Sequence, residues 1–121
     1  MSDAGQPRSL KFPKTRRLTR PAEFLRVKNE GKSQRGGLLI VGALRTGTEA
    51  DCRTGFVTSK RVGGAVVRNR IRRRLREIVR HHPEVLAPGF WLVVIARPAA
   101  ARASYSALEH EWLRLTRRVL S

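Results

Sequence analysis

Apolar residues in this chain follow two rhythms, one with the period of a helix and one with the period of a strand. In residues 61–80, RVGGAVVRNRIRRRLREIVR, the helical rhythm is clear. At about 100° per residue, Val67, Ile71, Leu75, Ile78 and Val79 gather within roughly 120° of arc. Asn69, Arg73, Arg76 and Arg80 fall on the opposite face. Arg68 and Arg74 sit at the borders, where their methylenes can cover apolar neighbours while the charge stays in water. Pro83 ends this helix. Leu108, Trp112, Leu115 and Val119, spaced i, i+4, i+7 and i+11, predict a packed C-terminal helix from about Ser104. That helix turns Arg114, Arg117 and Arg118 outward and makes Trp112 a core residue. A shorter helix is expected near the start, with Thr19 as cap, Pro21 in the first turn and Glu23 against the helix dipole. Phe24, Leu25 and Val27 form its apolar side, and Gly31 is its stop.

The strand rhythm covers three stretches. Residues 36–44, GGLLIVGAL, are an apolar run interrupted by Gly42. A polar connection over residues 45–51 leads to residues 52–60, CRTGFVTSK, where alternation sets Thr54, Phe56 and Thr58 on one side and Gly55, Val57 and Ser59 on the other. Residues 90–96, FWLVVIA, are apolar without alternation, as expected of a strand covered on both faces. Following a helix as they do, they predict a strand–helix–strand unit with the 52–60 strand. The order is helix, strands, basic helix, strand, helix. It predicts an α+β domain of one sheet and three helices.

Charge changes the picture from fold to partner. The 121 residues have room for one domain, and they carry 26 Lys+Arg against 9 Asp+Glu, a formal net charge of +17. Seven arginines, Arg68, Arg70, Arg72, Arg73, Arg74, Arg76 and Arg80, are opposed on their helix by Glu77 alone. Buried charges of that number would each need a partner, so the segment calls for an extended polyanion outside the chain. Residues 1–14 are polar, contain Gly5, Pro7 and Pro13, and show no periodicity. They are expected to form a flexible basic arm ahead of a domain over residues 15–121.

The remaining composition narrows the chemistry. The single cysteine, Cys52, allows no internal disulfide or thiolate cluster and is expected to be a half-buried strand residue. The first residues lack a signal-peptide apolar core. The longest apolar runs, 38–44 and 90–96, fall far short of the ~20 residues needed to span a bilayer, so a cytoplasmic, reducing setting is expected. A self-sufficient nuclease would need clustered carboxylates or a paired base and acid. The acids here are scattered, and the one local grouping, His81-His82-Pro83-Glu84, directs adjacent histidines apart. No catalytic residue and no metal ligand is expected in the protein. A membrane-active peptide is disfavoured because the apolar face of the arginine helix has no aromatic anchor. Composition leaves open a basic ribosomal-type protein or an RNA chaperone with no role in cleavage.

One stretch carries a resemblance. GFVTSKRVGGAVVRNRIRRRLREIVR, residues 55–80, resembles the signature of the bacterial ribonuclease P protein subunit: a strand ending in S-K-[KR], a glycine turn, A-V-x-R-N-R, then a basic amphipathic helix. RLTRPAEF (residues 17–24) is similar to that family's N-terminal R-L element with its phenylalanine. WLVVIARPAA (residues 91–100) is similar to its late apolar strand ending in A-R. The likeness runs from about Arg16 to the C-terminus.

The resemblance implies a four-stranded sheet and three helices in the order α-β-β-β-α-β-α, with a left-handed strand–helix–strand crossover carrying the R-N-R helix. It implies a cytoplasmic ribonucleoprotein that removes 5′ leaders from precursor tRNA, in which the RNA subunit performs magnesium-dependent hydrolysis and the protein binds no cofactor itself. By the same resemblance Arg68, Asn69, Arg70, Arg72, Arg73 and Arg76 contact the catalytic RNA. Phe24 stacks on a leader nucleotide in a groove between the first helix and the sheet, and Lys28, Lys60, Arg61 and Arg97 face the leader. Two positions depart from the family's habit. Lys28 stands where a second aromatic is frequent, and Gly42 where a larger side chain is frequent.

Overall fold

The unbroken apolar stretch becomes the centre of the sheet. In the computed structural model, which describes residues 17–48 and 50–121, strand β4 (Phe90–Ala96) pairs antiparallel with β2 (Leu39–Arg45) and parallel with β3 (Arg53–Val57). Strand β1 (Lys32–Arg35) completes the order β1-β2-β4-β3 as an antiparallel partner of β2. Helix α1 (Pro21–Glu30) precedes β1, α2 (Ala65–Arg80) joins β3 to β4, and α3 (Tyr105–Leu120) ends the chain. The α+β architecture and element order match expectation. The arm expected over residues 1–14 lies outside the described residues.

The sheet is covered on both sides. Leu92, Val94 and Ala96 of β4 join a large core with α2 and α3, while Trp91, Val93 and Ile95 meet the smaller cluster around Leu18, Phe24 and Val27. β3 divides as its alternation predicts, Phe56 packing with the large core and Val57 with the small one. α2 buries Ile71, Leu75, Ile78 and Val79, and α3 buries Leu108, Trp112, Leu115 and Val119. Both helices therefore present the stripes that their periodicity marks. The Ser104 hydroxyl caps α3, accepting from the Ala107 N–H at 3.1 Å.

The structure departs from the expected pattern in four places. The strand expected from Gly36 begins at Leu39, because Gly36 turns the chain, its N–H donating to the Leu39 carbonyl at 2.8 Å. Ahead of that turn lies β1, KSQR, an edge strand with no apolar residue and hence no rhythm to find. The Glu111 carboxylate of α3 holds the turn by accepting from the Leu38 and Leu39 N–H groups at 2.7 and 2.6 Å. At the start of α1, Thr19 is not the cap. The chain enters through Arg20, and Glu23 reaches back to accept from the Thr19 and Arg20 N–H groups, both at 3.1 Å. Cys52 is buried just ahead of β3 rather than half-buried within it.

Where α2 meets α3, His82 joins two carboxylates. Its Nε2 lies 2.7 Å from Glu109 and its Nδ1 lies 3.3 Å from Glu84, with the ring 6.0 Å from that of Trp112. The hydrogen bond to Glu109 raises the imidazole pKa above 6.5, with Glu84 adding and burial opposing. A raised folded-state pKa stabilises the fold fully below the unfolded value, and that contribution fades as pH climbs through the folded value. The Tm gap between the wild type and His82→Gln should therefore be widest in mildly acidic buffer and narrow toward alkaline pH. A gap that stays constant across that range would show that the imidazolium contributes nothing.

Candidate nucleic-acid interface

α2 is fixed by its apolar stripe, so its arginine positions are fixed as well. Asn69 and Arg73 are exposed, and Arg68, Arg70, Arg72, Arg74 and Arg76 are half-buried along the flanks. The one acid on the helix, Glu77, pairs with Arg80 at 3.5 Å. Among the described residues no ion pair engages the other six arginines of the helix. Their internal bonds go to neutral oxygens. Arg70 donates to the Ala101 carbonyl at 2.9 Å, Arg74 to that of Ala103 at 3.3 Å, and Arg72 to the Asn69 side-chain oxygen at 2.8 Å. Carbonyl and amide oxygens orient a guanidinium without cancelling its charge. Burial, followed by repulsion from Arg17 and Arg72, pulls the Arg76 pKa down. The face therefore holds more positive charge than the chain itself balances, the condition that a polyphosphate relieves.

A second concavity lies across the sheet. Between α1 and the strands runs an open groove of about 580 Å³. Ile40, Gly42, Val57, Val93 and Ile95 line it from the sheet, while Phe24, Leu25 and Lys28 line it from α1. Leu25 is 55% exposed, a large apolar side chain left open on the α1 side. The Phe24 ring rests on β3 at Gly55, so closely that a Cβ there would collide with it. Gly42 leaves the floor low beside Val27. Lys28 and Arg35 add positive charge to the lining. An aromatic edge, an apolar floor and flanking cations suit a nucleobase with its phosphate.

Most of the expected site residues fall on these two surfaces, and Lys60, Arg61 and Arg97 lie outside both. Phe24 and Lys28 share the groove. Lys60 and Arg61 stand exposed in the turn between β3 and α2, outside the groove lining but between its floor at Val57 and the arginine face. Arg97 lies at the far end of β4, where it donates to the Gly36 carbonyl at 2.7 Å and so braces the β1–β2 turn. Three further residues belong to these surfaces although neither pattern nor resemblance assigns them a contact. Arg74 sits among the face's cations, Arg35 lines the groove from an unpatterned strand, and Arg53 holds α1 to the sheet. Arg53 lies on the same side of β3 as Gly55 and Val57, so its alternation was the available clue.

Around Arg53 the contacts are dense. Its guanidinium donates to Glu23 at 2.8 Å and to the Arg17 carbonyl at 2.8 and 3.2 Å, and it lies 5.6 Å from the Trp91 ring centroid. Burial alone pushes the Glu23 carboxyl up. The N–H groups of Arg20 and Thr19 together with Arg53 outweigh that, leaving its pKa below the usual value.

Comparison with known proteins gives the family. The family model described as Ribonuclease P matches residues 12–120. The ribonuclease P protein component of Beutenbergia cavernae is 42% identical over 100 residues, 83% of this chain and 84% of the relative. That of Roseiflexus castenholzii is 43% identical over 103 residues, 84% of each. Among solved structures, the RNase P protein of Staphylococcus aureus superposes with a TM-score of 0.80 at 25% identity, covering 89% of this chain and 100% of that one. That of Thermotoga maritima gives 0.77 at 31% identity, covering 85% and 96%. With the family model covering nearly the whole described chain and the fold shared with the solved relatives, the chain belongs to the bacterial ribonuclease P proteins, the protein component of an RNA-containing endoribonuclease of tRNA processing.

Proposed function

We propose that the protein docks on the ribonuclease P catalytic RNA through the outer face of α2 and holds the 5′ leader of precursor tRNA in the groove beneath α1, while the RNA carries out hydrolysis. The observation that carries this reading is the division of labour across the sheet. Six arginines that find no acidic partner among the described residues stand on one side, and an open aromatic-edged groove lies on the other. Forked guanidiniums fit paired phosphate oxygens, and the exposed Asn69 fits a phosphate or a base edge. Lys60 and Arg61 lie on the path between the two surfaces and supply phosphate contacts where the two RNAs converge. Arg97, turned toward the β1–β2 loop, contributes with the N–H groups that Gly36 leaves free.

The protein's share of catalysis is then positioning and charge. Its positive field offsets repulsion between substrate and ribozyme, and the groove fixes the leader relative to the scissile bond. Among the described residues no group of three or more His, Cys, Asp or Glu side chains could hold a metal ion. That the magnesium of the reaction sits with the RNA is part of the proposal itself. Among the same residues no helix is long and apolar enough to cross a membrane.

The test uses holoenzyme reconstituted with a cognate catalytic RNA. Phe24→Ala should weaken binding of leader-bearing precursor by about 1–3 kcal/mol, the worth of one stacked base, and leave mature tRNA nearly unaffected. Protein without RNA should cleave neither substrate. Equal losses on precursor and mature tRNA would remove the leader from the groove. Cleavage by RNase-free protein would assign the chemistry to the wrong partner.

A further inference from the structure

The α1-facing side of β3 reads, in order, Arg53, Gly55, Val57. The first two meet α1 directly and the third lies beside it in the groove. Arg53 holds Glu23, Gly55 seats the ring of Phe24, and Val57 forms groove floor. Of the residues of α1 only Val27 is buried, so the helix has little apolar anchorage of its own. Its entry is secured instead by polar bonds. The Arg53 guanidinium grips both the Arg17 carbonyl and the Glu23 carboxylate, and that carboxylate closes the first turn through the Thr19 and Arg20 N–H groups. Glu23 adjoins Phe24 in sequence. A helix advances 1.5 Å and turns about 100° per residue, so a slip at Glu23 moves the ring out of its place.

We propose that Arg53 and Gly55 are positioning residues that hold Phe24 at the leader groove, Arg53 by locking α1 in rotation and height through Glu23, Gly55 by admitting the ring against the strand. The inference rests on the groove reading for its functional consequence but not for its geometry. An Ala at position 55 would place a methyl group where the Phe24 ring now lies and against the Leu18 side chain. Neutralising Glu23 releases Arg53 while keeping the helix cap, because a glutamine oxygen still accepts from the Thr19 and Arg20 N–H groups.

Two measurements separate the geometry from the function. In the free protein with ring-labelled phenylalanine, the NMR resonances of Phe24 should move in both Glu23→Gln and Gly55→Ala, and Arg53→Lys should restore part of the shift that Arg53→Gln produces. Unmoved resonances in Glu23→Gln and Gly55→Ala would overturn the proposal whatever any RNA assay shows. In the holoenzyme, Glu23→Gln should lower affinity for leader-bearing precursor about 3- to 10-fold, within the loss of one stacked base. Mature tRNA and catalytic RNA should bind as before. Combined with Phe24→Ala it should add nothing further, and an additive loss would overturn the positioning role. If the resonances move while Phe24→Ala itself spares the precursor, the positioning geometry stands and the groove reading fails.

Discussion

Raising monovalent salt from 50 to 200 mM should weaken binding of this protein to the ribonuclease P RNA by about 10³–10⁵-fold, the loss that accompanies 6–10 phosphate contacts. The expectation follows from α2, where Glu77 pairs with Arg80, Arg70, Arg72 and Arg74 bond to neutral oxygens, and no other ion pair engages an arginine of the helix among the described residues. Each phosphate such a side chain meets releases a condensed counterion, so affinity falls steeply as added salt opposes that release. Single substitutions sharpen the test. Arg73→Ala removes an exposed guanidinium from the face and should reduce the slope of log affinity against log salt by about 1. Arg117→Ala, exposed on α3, should leave the slope unchanged. A nearly flat salt response in the wild type would mean that the α2 arginines are not phosphate ligands.

Replacing Trp112 with alanine should cost about 3–5 kcal/mol of folding stability, a large part of the roughly 5–15 kcal/mol that keeps a domain of this kind folded. Trp112 is 0% exposed and sits among the buried side chains of α3, α2 and the sheet. Its removal leaves a cavity that close-packed neighbours cannot refill. Thermal unfolding should show a fall in Tm on the order of 10–20 °C. An aromatic residue that served as a base-stacking platform would give the opposite pattern, weaker RNA binding with the melting temperature preserved. That outcome would overturn the core assignment.

What could be read from the sequence was what burial writes into it. α2, α3 and β4 each bury a face or both faces, and their apolar residues recur at the spacing which that burial requires. β1 buries nothing apolar, so KSQR carries no mark, and the apolar run after it starts three residues before the strand does. The start of α1 misled for a related reason. Thr19 has the right chemistry for a cap, but Glu23, tied to Arg53 of β3, reaches its N–H group and that of Arg20, a contact that no local pattern encodes. Phe24 belonged by periodicity to a core and by resemblance to a groove. The structure gives it both roles, half-buried on Gly55 and lining open space. Periodicity reports which side chains leave water, but a concavity depends on what is missing opposite them, here at Gly42. Among the arginines, sequence pattern separated core-facing from outward positions. It did not show that Arg70 and Arg74 would lean on the carbonyls of Ala101 and Ala103, because that turn is distant in the chain.

The unpatterned strand has a consequence of its own. β1 is an edge of the sheet, with Lys32 and Arg35 exposed on it, whereas the opposite edge at β3 is partly shielded where Arg17 bridges to Thr54. A second molecule joining its sheet to this one along β1 would have to bring those cations against its own. The most open hydrogen-bonding rim of the sheet thus carries a built-in deterrent to fibrous self-assembly.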